Sequence, residues 1–195
     1  MNLDLEREKF NDQWWSLLGH HFKEKYMYDV YAKIKLDASR KDHKVLPSSN
    51  DIYKPFKLLN PDDVRIVFLM DKPIGIYEQS KEWQLISRWI ENEAFDGLHL
   101  NMEDNMDYLI TQGIITLSPS LTICNKSDHD NIGWENFYMD ILNILAKSPN
   151  KILTIVGNDK SHHSINMDYS IKLEEGCITR INEFMLKEYN TKINW

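Results

Sequence analysis

The sequence predicts an α/β protein, a three-layer sandwich around a central, mainly parallel sheet of about four strands. Three observations carry that expectation. The run 64-VRIVFLM-70 is almost uninterrupted β-branched and apolar residues, the pattern of a strand covered on both faces. Further short apolar runs, 114-IITL-117 and 151-KILTIV-156, alternate with stretches of helical periodicity, and such alternation builds parallel sheets. Composition is that of an ordinary globular chain, with 42% hydrophobic and 27% charged residues, which excludes disorder.

Each element follows from its residues. Phe10, Trp14, Leu17, Leu18 and His21 stand at helical spacing and form a stripe that must pack on something. A second helix is expected from about Glu24 to Ser39. Ser49, Asn50 and Asp51 offer caps for a short helix through Lys57, with Pro55 in its opening turn or soon after. After the first strand, Ser80 caps a helix with Trp83, Ile86 and Ile90 on one face. Asn101 caps another with Met102, Met106, Leu109 and Ile110, closed by Gly113. Gly133 to Lys147 is helical, with Trp134, Phe137, Ile141 and Leu145 inward, and a last helix runs from Cys177 to Tyr189 on Ile178, Ile181 and Met185. Ligands of such sheets bind beyond the carboxyl ends of the strands, so 71-DKPIG-75, 118-SPSLTICN-125 and 157-GNDKSHH-163 are the segments to inspect.

The 195 residues suffice for one domain spanning 1–195, and no repeat or linker divides them. No apolar run approaches the ~20 residues that span a bilayer, and no secretion signal opens the chain, so an intracellular, cytoplasmic protein without a membrane is expected. Cys124 and Cys177 are the only cysteines, in no CxxC pair, and read as two buried thiols in a reducing compartment. Abundant Lys, Asn and Ile point to an AT-rich coding genome, a phage or a low-GC bacterium. Net charge is -7 with a pI near 5.5, which argues against a broad phosphate-binding surface while leaving room for a small basic cleft.

Few residues advertise chemistry. His162-His163 near Asp159 and Asp168 lack a third ligand at a recognised spacing, so no metal is expected, and no other cofactor. The six Trp and nine Tyr are available for base stacking, but Trp14, Trp83, Trp134 and Trp89 stand at core spacing. Glu174-Glu175 reads as an exposed turn. No Gly-rich phosphate loop, nucleophile elbow or HExxH motif is present.

Three segments, taken in order, resemble the uracil-DNA glycosylase family. The stretch 46-LPSSNDIYKPFKLLNPDDVRIVFLMDKP-73 is similar to the family's lead into Gly-Gln-Asp-Pro-Tyr-His. In 108-YLITQGIITLSPSLTICNKSDHDNIGWENFYMDIL-142, Gln112, Gly113, Leu121, Thr122, Gly133, Trp134, Glu135 and Phe137 match directly. Finally, 151-KILTIVGNDKS-161 is similar to the strand that ends in Gly-Ser-His-Ala. The likeness covers roughly Leu46 to Trp195 and leaves the helical segment 1–45 outside. It implies a uracil-DNA-glycosylase-like sandwich. In the family a motif Asp activates water, an Asn reads the flipped uracil, and a His in a later His-Pro-Ser-Pro-Leu loop stabilises the uracil anion.

This chain departs from that pattern at the water-activating, base-reading and anion-stabilising positions. Aligned through Pro73, Met70 replaces the motif's Gly, Asp71 its Gln, Lys72 its catalytic Asp, Ile74 its Tyr and Gly75 its His. Ser118 replaces the uracil-reading Asn, the stacking Gly-Leu-Ala-Phe-Ser segment is missing between Gly75 and Ser80, and KLEEGC at 172–177 stands where the His loop belongs. Gly157 survives, with Asn158 in place of the phosphate-holding Ser. Each lost role is worth several kcal/mol of barrier. The resemblance therefore implies a relic cleft of Asp71, Lys72, Pro73 and Ser118, with Gly157, Asn158 and Lys160 as remaining binding candidates.

The expected function is non-enzymatic: a pseudo-glycosylase that binds a protein partner in DNA replication, repair or virus–host conflict. Some viral members of the family are polymerase accessory subunits, which fits. Two alternatives remain open, a glycosylase for another base using Asp71, and a DNA reader without chemistry. Tyr26, Tyr28 and Tyr31 in 22-FKEKYMYDVY-31 are the candidate partner surface, or else they pack the second helix onto the body.

Overall fold

The computed structural model describes residues 2–73, 81–94, 102–157 and 169–195, without the side chains of 81–83, 94 and 102–105. The chain opens with helices α1 (Leu3–Arg7), α2 (Asp12–Leu18) and α3 (Lys25–Ala38), the last two joined by a 3₁₀ turn at Gly19–Lys23. Strand β1 (Val45–Leu46), α4 (Lys54–Leu58), β2 (Ile66–Leu69), α5 (Lys81–Ala94), α6 (Met102–Thr111), β3 (Ile114–Leu117) and β4 (Ile123–Cys124) follow. The rest is α7 (Trp134–Ala146), β5 (Leu153–Val156), β6 (Tyr169–Lys172) and α8 (Cys177–Tyr189).

The main sheet has the order β3-β2-β5-β6 and is parallel throughout, with Ile66 opposite both Ile114 and Leu153, and Leu153 opposite Tyr169. Strand alternation sends Val67, Leu69, Ile115 and Leu117 into one core with α2, α3, α4 and α7. Ile66, Phe68, Ile114 and Ile155 enter a second core under α5 and α8. The three-layer sandwich is as the sequence predicts. A separate two-stranded piece pairs β1 antiparallel to β4, Val45 opposite Cys124.

The first core is built on rings. Phe137 meets Phe10, His21, Phe22, Tyr53, Phe56 and Trp134 edge to face, at centroid separations between 5.2 and 6.5 Å. Such pairs add about 0.5–1.5 kcal/mol each beyond their buried area. They fasten the N-terminal segment to α7 and α4.

Several expectations change in detail. The first stripe is interrupted: Asn11 caps α2, its Oδ1 accepting from the Trp14 amide at 2.9 Å while its Nδ2 donates to Leu59 O at 2.9 Å. Phe10, Trp14, Leu18 and His21 are buried, but Leu17 falls at the edge of the stripe on α2 and is 41% exposed. Ser48 to Tyr53 forms hydrogen-bonded turns, so the short helix starts only at Lys54, with Pro55 in its first turn. Cys177 is buried as expected, whereas Cys124 is half-buried at the sheet edge. Trp89 is only partly buried. Glu174 and Glu175 are exposed, Glu174 pairing with Arg180 at 3.0 Å. The caps Ser80 and Asn101 lie outside the described residues, as does the Trp83 side chain. No helix among the described residues is long and apolar enough to cross a membrane.

Gly113 shows why a glycine closes α6. Its φ is +92°, and a Cβ there would stand 2.7 Å from Arg65 Cγ and 2.8 Å from Asp63 O. Its own carbonyl accepts from the amides of Arg65 and Ile66, which sets the start of β2 against β3.

Truncating Phe137 to Ala removes the hub of the ring cluster and is expected to cost about 3–5 kcal/mol, read from the shift of the urea midpoint. The same truncation at exposed Leu17 is expected to leave the midpoint within about 0.5 kcal/mol of the parent.

Candidate functional site

Strands β2 and β3 end side by side, and the residues after them face a common space. The Met70 amide donates to Leu117 O at 2.8 Å, prolonging the ladder by one step. Ser118 Oγ then donates to Asp71 O at 3.2 Å and ties the two strand exits together. Beyond them lies a cavity of about 340 Å³. Met70, Lys72, Pro73, Thr116, Leu117 and Ser118 form its sheet side; Pro47, Ile52 and Pro55 come from the lead-in, and Met106 and Ile110 from α6. Its position beyond the carboxyl ends of parallel strands is where α/β sheets bind ligands.

The relic cleft expected from sequence is thus one place, with one exception. Lys72, Pro73 and Ser118 all line the cavity, and Met70, where the family motif has Gly, is 1% exposed in its wall. Asp71 contributes its backbone carbonyl and is not among the lining residues. Gly157 sits at the same end of the sheet on the far side of β2, its amide donating to Leu69 O at 3.3 Å. Asn158, Lys160, Ile74, Gly75 and the His162-His163 pair lie outside the described residues.

The rim is charged but balanced. Lys72 Nζ pairs with Asp130 at 3.2 Å, and Lys54 Nζ pairs with Asp107 at 2.6 Å; all four side chains are 40–55% exposed. Exposed pairs of this kind contribute little stability, about 0–1 kcal/mol each, but they cancel the field that would draw a phosphate. An ammonium also offers protons and no lone pair, so Lys72 cannot take a proton from water as a carboxylate does.

A buried polar chain holds the segment that carries Ser118 and Asp130. Trp134 Nε1–H donates to Thr122 Oγ1 at 2.9 Å, and Thr122 turns its own proton to His129 Nδ1 at 3.0 Å. That leaves His129 Nε2–H to donate to Asp37 Oδ2 at 3.0 Å. Ser120 Oγ shares its proton between Thr122 O and His129 O at 2.7 and 2.8 Å. Asp37 is wholly buried and ionised: the Lys33 ammonium 2.8 Å away, against the cost of burial, and with help from His129, holds its carboxyl well below the usual carboxylate range. Arg40 adds a further contact at 3.3 Å.

Sequence reasoning did not single out Asp37 or His129. A signal existed: Met27, Val30, Ile34 and Asp37 occupy one helical stripe, and a charge at its end marks a buried ion. The partner, 92 residues further on, had no such mark. Two groups of metal-ligating side chains were also missed, His20 with His21 and Asp140, and Asp37 with His43 and Cys124. In the first, His21 Nε2 lies 2.9 Å from Asp140 Oδ2, an ordinary hydrogen bond.

Of the candidate partner tyrosines, two hold α3 to the body instead. Tyr26 is bonded to His21, and Tyr31 to Glu6 and Tyr53. Tyr28 is 45% exposed.

No family model matches the chain. Among curated proteins, the uracil-DNA glycosylase of Campylobacter fetus is 24% identical over 227 residues, which take in 100% of this chain and 97% of the relative. That of Campylobacter curvus is 27% identical over 173 residues, 80% of this chain and 73% of the relative. The crystal structure of mimivirus uracil-DNA glycosylase superposes with a TM-score of 0.75 at 14% identity, covering 100% of this chain and 89% of that one. A mimivirus UNG variant solved in complex with UGI superposes equally well, with a TM-score of 0.75. Fold and cleft position together define a uracil-DNA-glycosylase-like α/β protein. The chain is similar to the uracil-DNA glycosylases, the family that its own motifs resemble, and the likeness takes in residues 1–45 as well.

Asp37→Ala leaves His129 and Lys33 without their buried counter-charge and is expected to destabilise by about 3 kcal/mol or more. Lys72→Ala, which breaks only an exposed pair, is expected to change the urea midpoint by less than about 1 kcal/mol.

Proposed function

We propose that this protein has a glycosylase fold but works by binding, with a protein partner in DNA replication, repair or virus–host conflict inside the cell. The observation that carries the reading is Lys72. It stands where the resemblance puts the water-activating carboxylate, it lines the cavity, and it is paired with Asp130. Uracil excision needs a group that orients and deprotonates water, one that reads the base and one that stabilises the anion. Ser118, with its proton committed to Asp71 O, is a poor substitute for an amide that both donates and accepts.

The alternative of a glycosylase using Asp71 is disfavoured because Asp71 is not among the residues that line the cavity, and its carbonyl is taken up by Ser118. A DNA reader without chemistry is disfavoured by the -7 net charge and by the paired cations on the rim. The mimivirus UNG structures in complex with UGI support a protein-binding role for the fold. On this reading exposed Tyr28 is the aromatic of α3 open to a partner.

Two measurements test it. Incubated in excess with single-stranded uracil-DNA, the protein is expected to leave no alkali-labile sites above background; excision abolished by Asp71→Asn would transfer the function to the enzyme reading. Duplex DNA is expected to bind weakly and with steep salt dependence. Tight binding at physiological salt that falls with Lys72→Ala would make the cleft a nucleic-acid site instead.

A further inference from the structure

A second constellation lies away from the cleft, where α3 meets the small β1–β4 sheet. Asp37 ends the buried stripe of α3, His43 lies in the loop that follows, and Cys124 is on β4. Their side-chain ligand atoms all lie within 4.8 Å of one another, and His43 Nδ1 is 3.5 Å from both Cys124 Sγ and Asp37 Oδ1. Three polypeptide segments thus bring a sulfur, a nitrogen and an oxygen to one point.

Hydrogen bonding accounts for the convergence only in part: the Cys124 thiol has a second acceptor in Asn125 Oδ1, at the long distance of 3.8 Å. A ring nitrogen carries either a proton or a lone pair, so His43 Nδ1 can donate to Asp37 or accept from the thiol, but not both. At 3.5 Å the nitrogen–oxygen contact is also long for a hydrogen bond. The two 3.5 Å spacings from His43 suit a tetrahedral ion, whose bonds of about 2.0–2.3 Å set neighbouring ligand atoms about 3.3–3.6 Å apart, and the third pair lies within 4.8 Å. The frame is pre-set as well. Cys124 is paired with Val45, the Asn125 amide donates to Lys44 O at 3.2 Å, Lys44 N donates to Asn125 Oδ1 at 2.8 Å, and Asn125 Nδ2 holds Asp42 O at 3.2 Å.

We propose that Asp37 Oδ1, His43 Nδ1 and Cys124 Sγ bind one thiophilic divalent cation of the Zn²⁺ class, with a fourth position open to water. Thiolate with imidazole selects such an ion over Mg²⁺ or Ca²⁺, which take oxygen ligands. On binding, the Cys124 thiol gives its proton to solvent, and the resulting thiolate together with the Asp37 carboxylate balances the charge of the ion. Arg40 shares Asp37 Oδ1 at 3.3 Å, and its half-exposed side chain is free to swing out to water; Lys33 and His129 stay on Oδ2. The bound ion pins the end of α3 to the segment that leads from Cys124 to Asp130. The proposal stands independently of any activity at the cleft.

Cobalt tests it directly. Chelator-stripped, reduced protein is titrated with Co²⁺, and the sulfur-to-cobalt charge-transfer band is followed in the near ultraviolet. One equivalent is expected to give the band, and Zn²⁺ to abolish it. The band is expected to persist in Cys177→Ser and to vanish in Cys124→Ser, and Zn²⁺ affinity is expected to fall more than ~100-fold in His43→Gln. Because Cys124 and His43 are not fully buried, both variants are expected to keep the parent far-ultraviolet circular dichroism. Arg40→Ala is expected to bind at least as tightly as the parent, since it removes the competing cation. No band in the parent, or a band that survives Cys124→Ser, overturns the proposal; so does a parent melting temperature that Zn²⁺ raises no more than that of Cys124→Ser.

Discussion

Parallel, in-register pairing of β2 with β3 is the constraint on which the site rests. With Leu69 opposite Leu117, the next residues of both strands emerge at one level and on one side of the sheet. Met70 extends the ladder by one amide, and Ser118 then clamps Asp71 by its carbonyl. That clamp decides which of two neighbouring side chains faces the cavity, because successive residues of an extended chain point to opposite sides. Lys72 is in the cavity wall and Asp71 is not. A slip of one residue would exchange an ammonium for a carboxylate at that wall, and with it the chemistry available there.

The rest of the molecule protects this geometry by two different means. The ring cluster around Phe137 is non-directional apolar burial, tolerant of detail, and it attaches the N-terminal helices to the body. The polar chain from Trp134 through Thr122 and His129 to Asp37 is the opposite: every member is satisfied by its neighbour, and losing one orphans the next. It ties the segment between β3 and α7, which contains β4, to α3 from within, and the same segment carries Asp130 opposite Lys72. The ion pair on the surface contributes little energy itself.

How much of this was legible in the sequence follows from the same distinction. Burial on both faces leaves continuous apolar runs, so the strands Ile114–Leu117 and Leu153–Val156 could be placed from pattern alone, and the helical spacing of Ile178, Ile181 and Met185 placed the helix Cys177–Tyr189. Strand Tyr169–Lys172 escaped because it lies at the sheet edge, with alternate residues exposed and only four residues to show a period. The β1–β4 pair, two residues each, falls below any periodic signal. The cleft residues Lys72 and Ser118 were reached through motif order rather than periodicity. The Asp37–His129 contact was not reachable, since pairing over 92 positions leaves no local trace, although the charge on the apolar stripe of α3 was visible.

The cleft is a largely apolar recess at the carboxyl end of the sheet whose two lining cations, Lys72 and Lys54, are paired with Asp130 and Asp107. On the proposed function, a fold kept whole with Lys72 at the position that the resemblance gives to the water-activating carboxylate reflects selection on a surface rather than on a reaction. The measurement that tests this most directly is the stoichiometry of what the tagged full-length protein retains when recovered from its native host and washed at physiological salt. The account predicts a protein that co-purifies in fixed proportion, is insensitive to nuclease and is lost with Tyr28→Ala while the fold survives. Recovery of nucleic acid with no stoichiometric protein would contradict it.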